Sequence, residues 1–150
     1  MENNITLVQL CAYYPPHLGG LERVAKEISE TLSHDGYKTI VLTSDIGAKK
    51  IKENHINENL KIKRLWSFDF AHTAFIPTLI LHLLTVKRPA IFHVHFAQVF
   101  VPEMVWLASK IKRIPYVVHY HLDVEKSGKL GFIFDIWKKY TWSNRRDTFL

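Results

Sequence analysis

Apolar positions along the chain follow two rhythms, and the switches between them mark its elements. Residues 5–13 (ITLVQLCAY) are almost all apolar and end in a Pro-Pro turn, the pattern of a short strand covered on both faces. This run is expected to be the first and central strand. From Leu21 the period lengthens: Leu21, Val24, Ala25, Ile28 and Leu32 recur at i, i+3, i+4, i+7 and i+11 with Glu, Arg, Lys and Ser between them. That spacing predicts an amphipathic helix with one face on a sheet. Gly36, in HDGY, supplies a residue that can turn left-handed after the last helical turn. Residues 38–44 (KTIVLTS) then form a second β-branched run. Strand, helix and strand within about forty residues is the length of one right-handed βαβ unit.

The alternation continues. The polar stretch 49–59 is expected to be a surface loop, 60–65 an edge strand and 75–87 a helix. Residues 90–94 (AIFHV) predict a strand, 99–111 a nearly all-apolar helix with Pro102 in its first turn, and 116–120 (YVVHY) a further strand. Strands alternating with helices predict an α/β fold with a doubly wound, Rossmann-like parallel sheet. Residues 129–142 (KLGFIFDIWKKYTW) begin as an aromatic amphipathic helix, and SNRRDTFL follows with no further strand pattern.

Composition narrows the class. With 150 residues, 47% hydrophobic and 23% charged, the chain has the balance of a soluble globular domain. Cys11 is the single cysteine, which excludes an intrachain disulfide and a cysteine-based zinc cluster and fits a reducing cytosol. Met1-Glu2-Asn3-Asn4 carries no signal-peptide pattern, and the longest apolar stretch, 73–86, is too short for a bilayer and is interrupted by Pro77 and His82. A cytoplasmic location is expected. The net charge of +6 is concentrated late: residues 110–150 hold nine Lys and Arg against four Asp and Glu. The aromatic and basic mixture of 129–142 suits either an anionic membrane face or packing against more protein. No recognisable motif interleaves those basic residues for nucleic acid, which is disfavoured as a partner.

Ligands of a doubly wound sheet collect at the carboxyl ends of its strands, and three features map there: HLGG (17–20) after the first predicted strand, HVH (93–95) ending the fourth and HYHLD (119–123) ending the fifth. Gly19 and Gly20 remove side chains at the start of a helix, whose unbonded N–H groups favour a phosphate. For a glycine pair alone, a plain turn is the better explanation. The spacing matches neither the dinucleotide fingerprint nor the P-loop. His93 and His95 share one strand face, as do His119 and His121, by the period of two. HYHLD is similar to part of the metallo-β-lactamase motif, but Val124 follows and no later histidine exists, so metal binding is disfavoured. His121 and Asp123 suit sugar hydroxyls or a proton transfer as well as they suit a capped loop. No nucleophile elbow occurs for a serine hydrolase.

Taken in order, YYPPHLGGLERVAKEISETLSHDGYKTIVLTS (13–44) and KRPAIFHVHFAQVFVPEMVWLASKIKRIPYVVHYHLD (87–123) resemble the N-terminal domain of family 4 retaining glycosyltransferases, half of a GT-B fold. The resemblance extends over residues 5–140 and implies transfer of a sugar from a nucleotide-diphosphate donor to a glycan or lipid-linked acceptor. It implies no metal and no cofactor beyond the nucleotide sugar. It places Gly19 and especially Gly20 against the donor diphosphate and His121 at the transferred sugar. Asp123 and Glu22 match motif positions without a firm role. The 13–18 loop with His17, and the mouth near His95, are acceptor-side candidates. Family members continue into a nucleotide-gripping domain, so this chain is expected to be an incomplete half (1–142, with a divergent tail at 143–150), inactive alone, and at most peripheral on a membrane. The alternatives are a non-catalytic subunit or truncated remnant needing a separate C-terminal partner and, less favoured, a metal-dependent hydrolase.

Overall fold

A computed structural model describes residues 4–49, 53–70, 73–96 and 100–120 of the chain. The elements in order are β1 (Thr6–Leu10), α1 (Gly20–His34), β2 (Lys38–Ser44), β3 (Glu53–His55), β4 (Leu60–Leu65), β5 (Phe68–Phe70), β6 (Thr73–Phe75), α2 (Leu79–Thr85), β7 (Ala90–Phe96), α3 (Val101–Lys112) and β8 (Tyr116–Tyr120). Six strands form one sheet in the order β3-β4-β2-β1-β7-β8, and β5 and β6 form a separate hairpin. The pairs β4·β2, β2·β1, β1·β7 and β7·β8 are parallel. β1 lies inside the sheet with Val8 and Leu10 fully buried, which explains its nearly unbroken apolar run.

Alternation along the strands sorts side chains to two layers. Val8, Leu10, Leu42, Phe92 and Val94 pack with Leu79 and Leu83 of α2 and Val105 and Ala108 of α3. Cys11, Val41, Leu60 and Ile62 pack on the other face with Ala25 of α1. Each large aliphatic or aromatic side chain so buried contributes roughly 1.5–3 kcal/mol. The fold class is therefore the α/β, Rossmann-like sheet that the alternating pattern predicts.

Three local expectations change. The polar stretch before β4 is not all loop: β3 pairs antiparallel with β4, so β4 is not the edge strand. An antiparallel strand needs only a short connection, and Asn57 provides it by accepting the Asn59 and Leu60 N–H groups at 2.9 and 2.7 Å. The helix expected over 75–87 is only α2, because Pro77 disfavours a helical Ile76 and leaves Phe75 to the β5-β6 hairpin. The 99–111 helix starts at Val101, with Pro102 in its first turn as expected. Among the described residues no helix is long and apolar enough to cross a membrane.

The end of α1 is fixed by a double hydrogen bond. Gly36 N–H donates to Ser33 O at 3.2 Å and Tyr37 N–H to Leu32 O at 3.0 Å, with Gly36 at φ 85°. An added Cβ at Gly36 would meet no atom within 4 Å, so only backbone strain opposes a side chain there. Gly36→Ala is expected to lower the unfolding free energy by about 1 kcal/mol, read as a reduced urea midpoint at unchanged m-value.

Candidate functional site

The order of the sheet creates a crevice. After β1 the chain builds outward through β2 and β4, then returns to place β7 on the opposite side of β1. Neighbouring connections therefore diverge at the carboxyl ends of β1 and β7, the position where open α/β sheets bind ligands. The loop with His17, Gly19 and Gly20 leaves β1 at that point.

The two adjacent glycines serve different purposes. Gly19 is the N-cap of α1 in an extended conformation that any residue adopts. Its constraint is spatial: a Cβ at Gly19 would overlap the Glu22 carboxylate. Glu22, in the first turn of α1, folds back over the cap with its side chain 9% exposed, where the helix dipole favours an anion. Its Oε1 lies 3.0 Å from His17 Nδ1, close enough to pair with a protonated imidazole but not aligned as a hydrogen bond. The His17 ring stacks on Tyr13 at a centroid distance of 4.4 Å and an interplanar angle of 15°. Gly20 differs from Gly19 because nothing lies within 4 Å of a Cβ built on it and its φ is not positive. The first helical bond runs from Arg23 N–H to Gly19 O, so the N–H groups of Gly20, Leu21 and Glu22 have no acceptor within the helix.

Polar contacts brace the surrounding rim. Arg64, buried at the end of β4, donates from Nη2 to the Pro15 carbonyl. Burial holds its pKa below the ordinary guanidinium value. Asp45 Oδ1 accepts from Ser67 N–H at 3.0 Å and from Ser67 Oγ–H at 2.7 Å, which ties the ends of β2 and β4 together. Burial, then the charges of Asp69 and Glu22, push the Tyr13 phenol pKa up. A cleft of about 420 Å³ beside this rim is lined by Asp45, Arg64, Trp66, Thr78 and His82, among others, and by neither glycine.

Sequence reasoning did not anticipate the aromatic row on the β5-β6 hairpin. Trp66 meets Phe68 at 5.8 Å, Phe68 meets Phe75 at 5.3 Å, and Phe75 meets Phe100 edge-on at 5.1 Å. Trp66 is 63% exposed, an unusual position for the largest apolar side chain. Phe100, the N-cap of α3, takes φ 76°, a strained value for an aromatic residue. The signal available in the sequence was the density of aromatics in WSFDF, followed by Phe75.

The histidines divide. His95 is 2% exposed and its Nε2 lies 2.7 Å from Gln9 Oε1 on β1, so it is held within the sheet face rather than standing at an open mouth. His93, His95 and His119 come together at the β7-β8 edge, with ring centroids 4.6 to 5.6 Å apart. His121 and Asp123, the expected sugar-facing residues, lie outside the described residues. Cys11 takes no part in this chemistry: burial pushes its thiol pKa up to about 12.

The domain is a Rossmann-like α/β sheet with an open glycine-loop helix start at its switch point. The sequence match makes the class specific. Residues 18–149 match the profile of Glycosyltransferase Family 4, and the chain belongs to that family. It is a glycosyltransferase-type domain. No individual curated protein is similar enough to add to this match.

Two measurements check this geometry. Gly19→Ala should destabilise the wild-type chain and cost less in a Glu22→Ala background, with a coupling of about 1 kcal/mol in a double-mutant cycle; strict additivity would refute the contact. A thiol reagent at pH 8 should label Cys11 only as fast as the chain unfolds, because the folded thiol is both buried and protonated.

Proposed function

We propose that the chain is the acceptor-side domain of a retaining sugar transferase that uses a nucleotide-diphosphate donor and a glycan or lipid-linked acceptor. The observation that carries this reading is Gly20. A glycine at the first helical position weakens a helix, and here neither φ nor a packed neighbour requires it. What it leaves open is the approach to the Gly20, Leu21 and Glu22 N–H groups, where a phosphate oxygen can be bound by backbone donors. Glu22 would repel that phosphate, and its Oε1 is turned toward His17 Nδ1 at 3.0 Å. Gly19 keeps Glu22 folded back from the open side.

The acceptor is assigned to the 13–18 loop and the aromatic side chains beside it. Tyr13, His17 and the exposed Trp66 and Phe68 present ring faces and edges suited to sugars and to the first apolar units of a lipid carrier. Exposed Leu18, at the tip of the 13–18 loop, adds to an apolar margin that suits peripheral contact with the inner face of a membrane. In the same reading His121 is assigned to the transferred sugar, and Asp123 matches a motif position without a firm role. Transfer proceeds with retention, requires no metal in the chemical step, and leaves a nucleoside diphosphate.

Charge on the departing diphosphate must be stabilised, usually a large part of such a barrier. Arg64, the cation bonded to this loop, is buried and committed to Pro15. Leaving-group stabilisation is assigned to a nucleotide-gripping domain, in the same polypeptide or a separate one, and residues 1–150 are held inactive without it.

The test uses the 150-residue chain with UDP and GDP in turn. Gly20→Glu should keep the urea midpoint within an equivalent of about 0.5 kcal/mol, since nothing occupies the space. It should weaken binding of whichever nucleotide the wild type prefers at least tenfold by calorimetry. Appreciable sugar transfer by the chain alone would overturn the assignment of inactivity. Unchanged nucleotide binding in Gly20→Glu, with acceptor binding retained, would mark a non-catalytic acceptor module instead.

A further inference from the structure

The parallel pairing of β7 with β8 puts His95 directly across from His119, and His93 two residues before His95 on the same face. All three belong to the face that also carries Gln9, opposite the layer filled by Phe92 and Val94. One imidazole nitrogen from each lies within 4.8 Å of the others. His95 is buried, and His93 and His119 are half-buried. Adjacent strands thus bring together three soft-to-borderline nitrogen donors that no carbon chain separates.

The state of His95 is set by its neighbour. Gln9 Oε1 is a carbonyl oxygen and only accepts, so the 2.7 Å contact puts the proton on His95 Nε2 and leaves the lone pair on Nδ1. A histidine that donates one N–H to a carbonyl has an orientation fixed in the way typical of metal ligands. The His93 and His119 rings lie nearly parallel, 7° apart at 5.6 Å.

We propose that His93, His95 and His119 form a binding site for a divalent late transition ion of the Zn²⁺ class, with Gln9 as the positioning residue that fixes the His95 tautomer. Tetrahedral zinc with Zn–N bonds of about 2.0–2.1 Å needs ligand nitrogens roughly 3.4 Å apart. Binding therefore draws the three nitrogens inward by about an ångström, within the reach of small χ rotations of the two half-buried rings. Three neutral imidazoles leave the ion its full charge and a fourth position for water or an exogenous ligand. Imidazole donors select Zn²⁺, Cu²⁺ or Ni²⁺ over Mg²⁺ and Ca²⁺, which prefer oxygen. The site pins the carboxyl end of the edge strand β8 to β7. It is independent of the proposed transferase chemistry, whose chemical step uses no metal.

The test is made on the untagged 150-residue chain with Zn²⁺ alone. Calorimetry should give one equivalent bound with a raised melting temperature, and Mg²⁺ should give neither. His93→Ala and His119→Ala should each lower Zn²⁺ affinity at least about 100-fold, while His55→Ala, on exposed β3, should leave it unchanged. Co²⁺ should produce the intense visible absorption of a tetrahedral site. A readout free of substitution guards against variants that fail to fold: one equivalent of Zn²⁺ should shift the ¹⁵N ring resonances of three of the nine histidines in the wild-type spectrum. Unshifted ring resonances, or wild-type affinity in folded His93→Ala and His119→Ala, would overturn the site. Loss of Zn²⁺ binding with nucleotide binding intact would separate it from the glycine loop.

Discussion

Everything that can bind or react in this domain depends on the parallel pairing of β1 with a neighbour on each side. β1 meets β2 and β7 in register, Thr6 with Lys38 and Ala90 and Leu10 with Leu42 and Val94. Parallel pairing puts all five carboxyl ends at one edge, so residues as far apart in sequence as Gly20, Ser67 and His119 derive from loops and strand ends on the same rim. The order of the strands decides where on that edge a ligand fits. Because the chain builds to one side of β1 and then to the other, the connections diverge beside β1, where the glycine loop leaves the strand.

Much of this was legible in sequence because it rests on local periodicity. The i, i+3, i+4 spacing from Leu21 to Leu32 gave α1, Gly36 gave its end, and the apolar runs gave β1, β2, β7 and β8. What escaped was non-local or short. β3 is three residues in a polar segment and exists only because β4 offers it an edge. Phe75, which pairs with Phe68 in the hairpin, falls at the start of the expected 75–87 helix because apolar density alone does not distinguish the two. Gln9 carries no signal in the sequence of its strand, since its partner is 86 positions away. Period two correctly put His93 and His95 on one face, but only inter-strand register brings in His119.

The glycine pair shows how one sequence signal holds two physical causes. A flexible turn would have required positive φ at one of the two positions, and neither has it. Gly19 is small because a carboxylate from its own helix lies over it, while Gly20 is small with nothing over it. The first belongs to the architecture of the helix start, and the second leaves that start open.

The Gln9–His95 bond has a further effect on the sheet itself. In a sheet of alternating apolar residues, sliding one strand by two positions preserves which side chains face the core, so hydrophobicity alone barely opposes it. Gln9 lies across from His93, so a slip that set it across from Ile91 instead would carry His95 away and leave polar atoms of two side chains, both now almost fully buried, without each other. The polar pair thus opposes slippage in that direction, which the hydrophobic ladders alone would permit. It gives one alignment of the strands a preference over a neighbour that would be equally greasy.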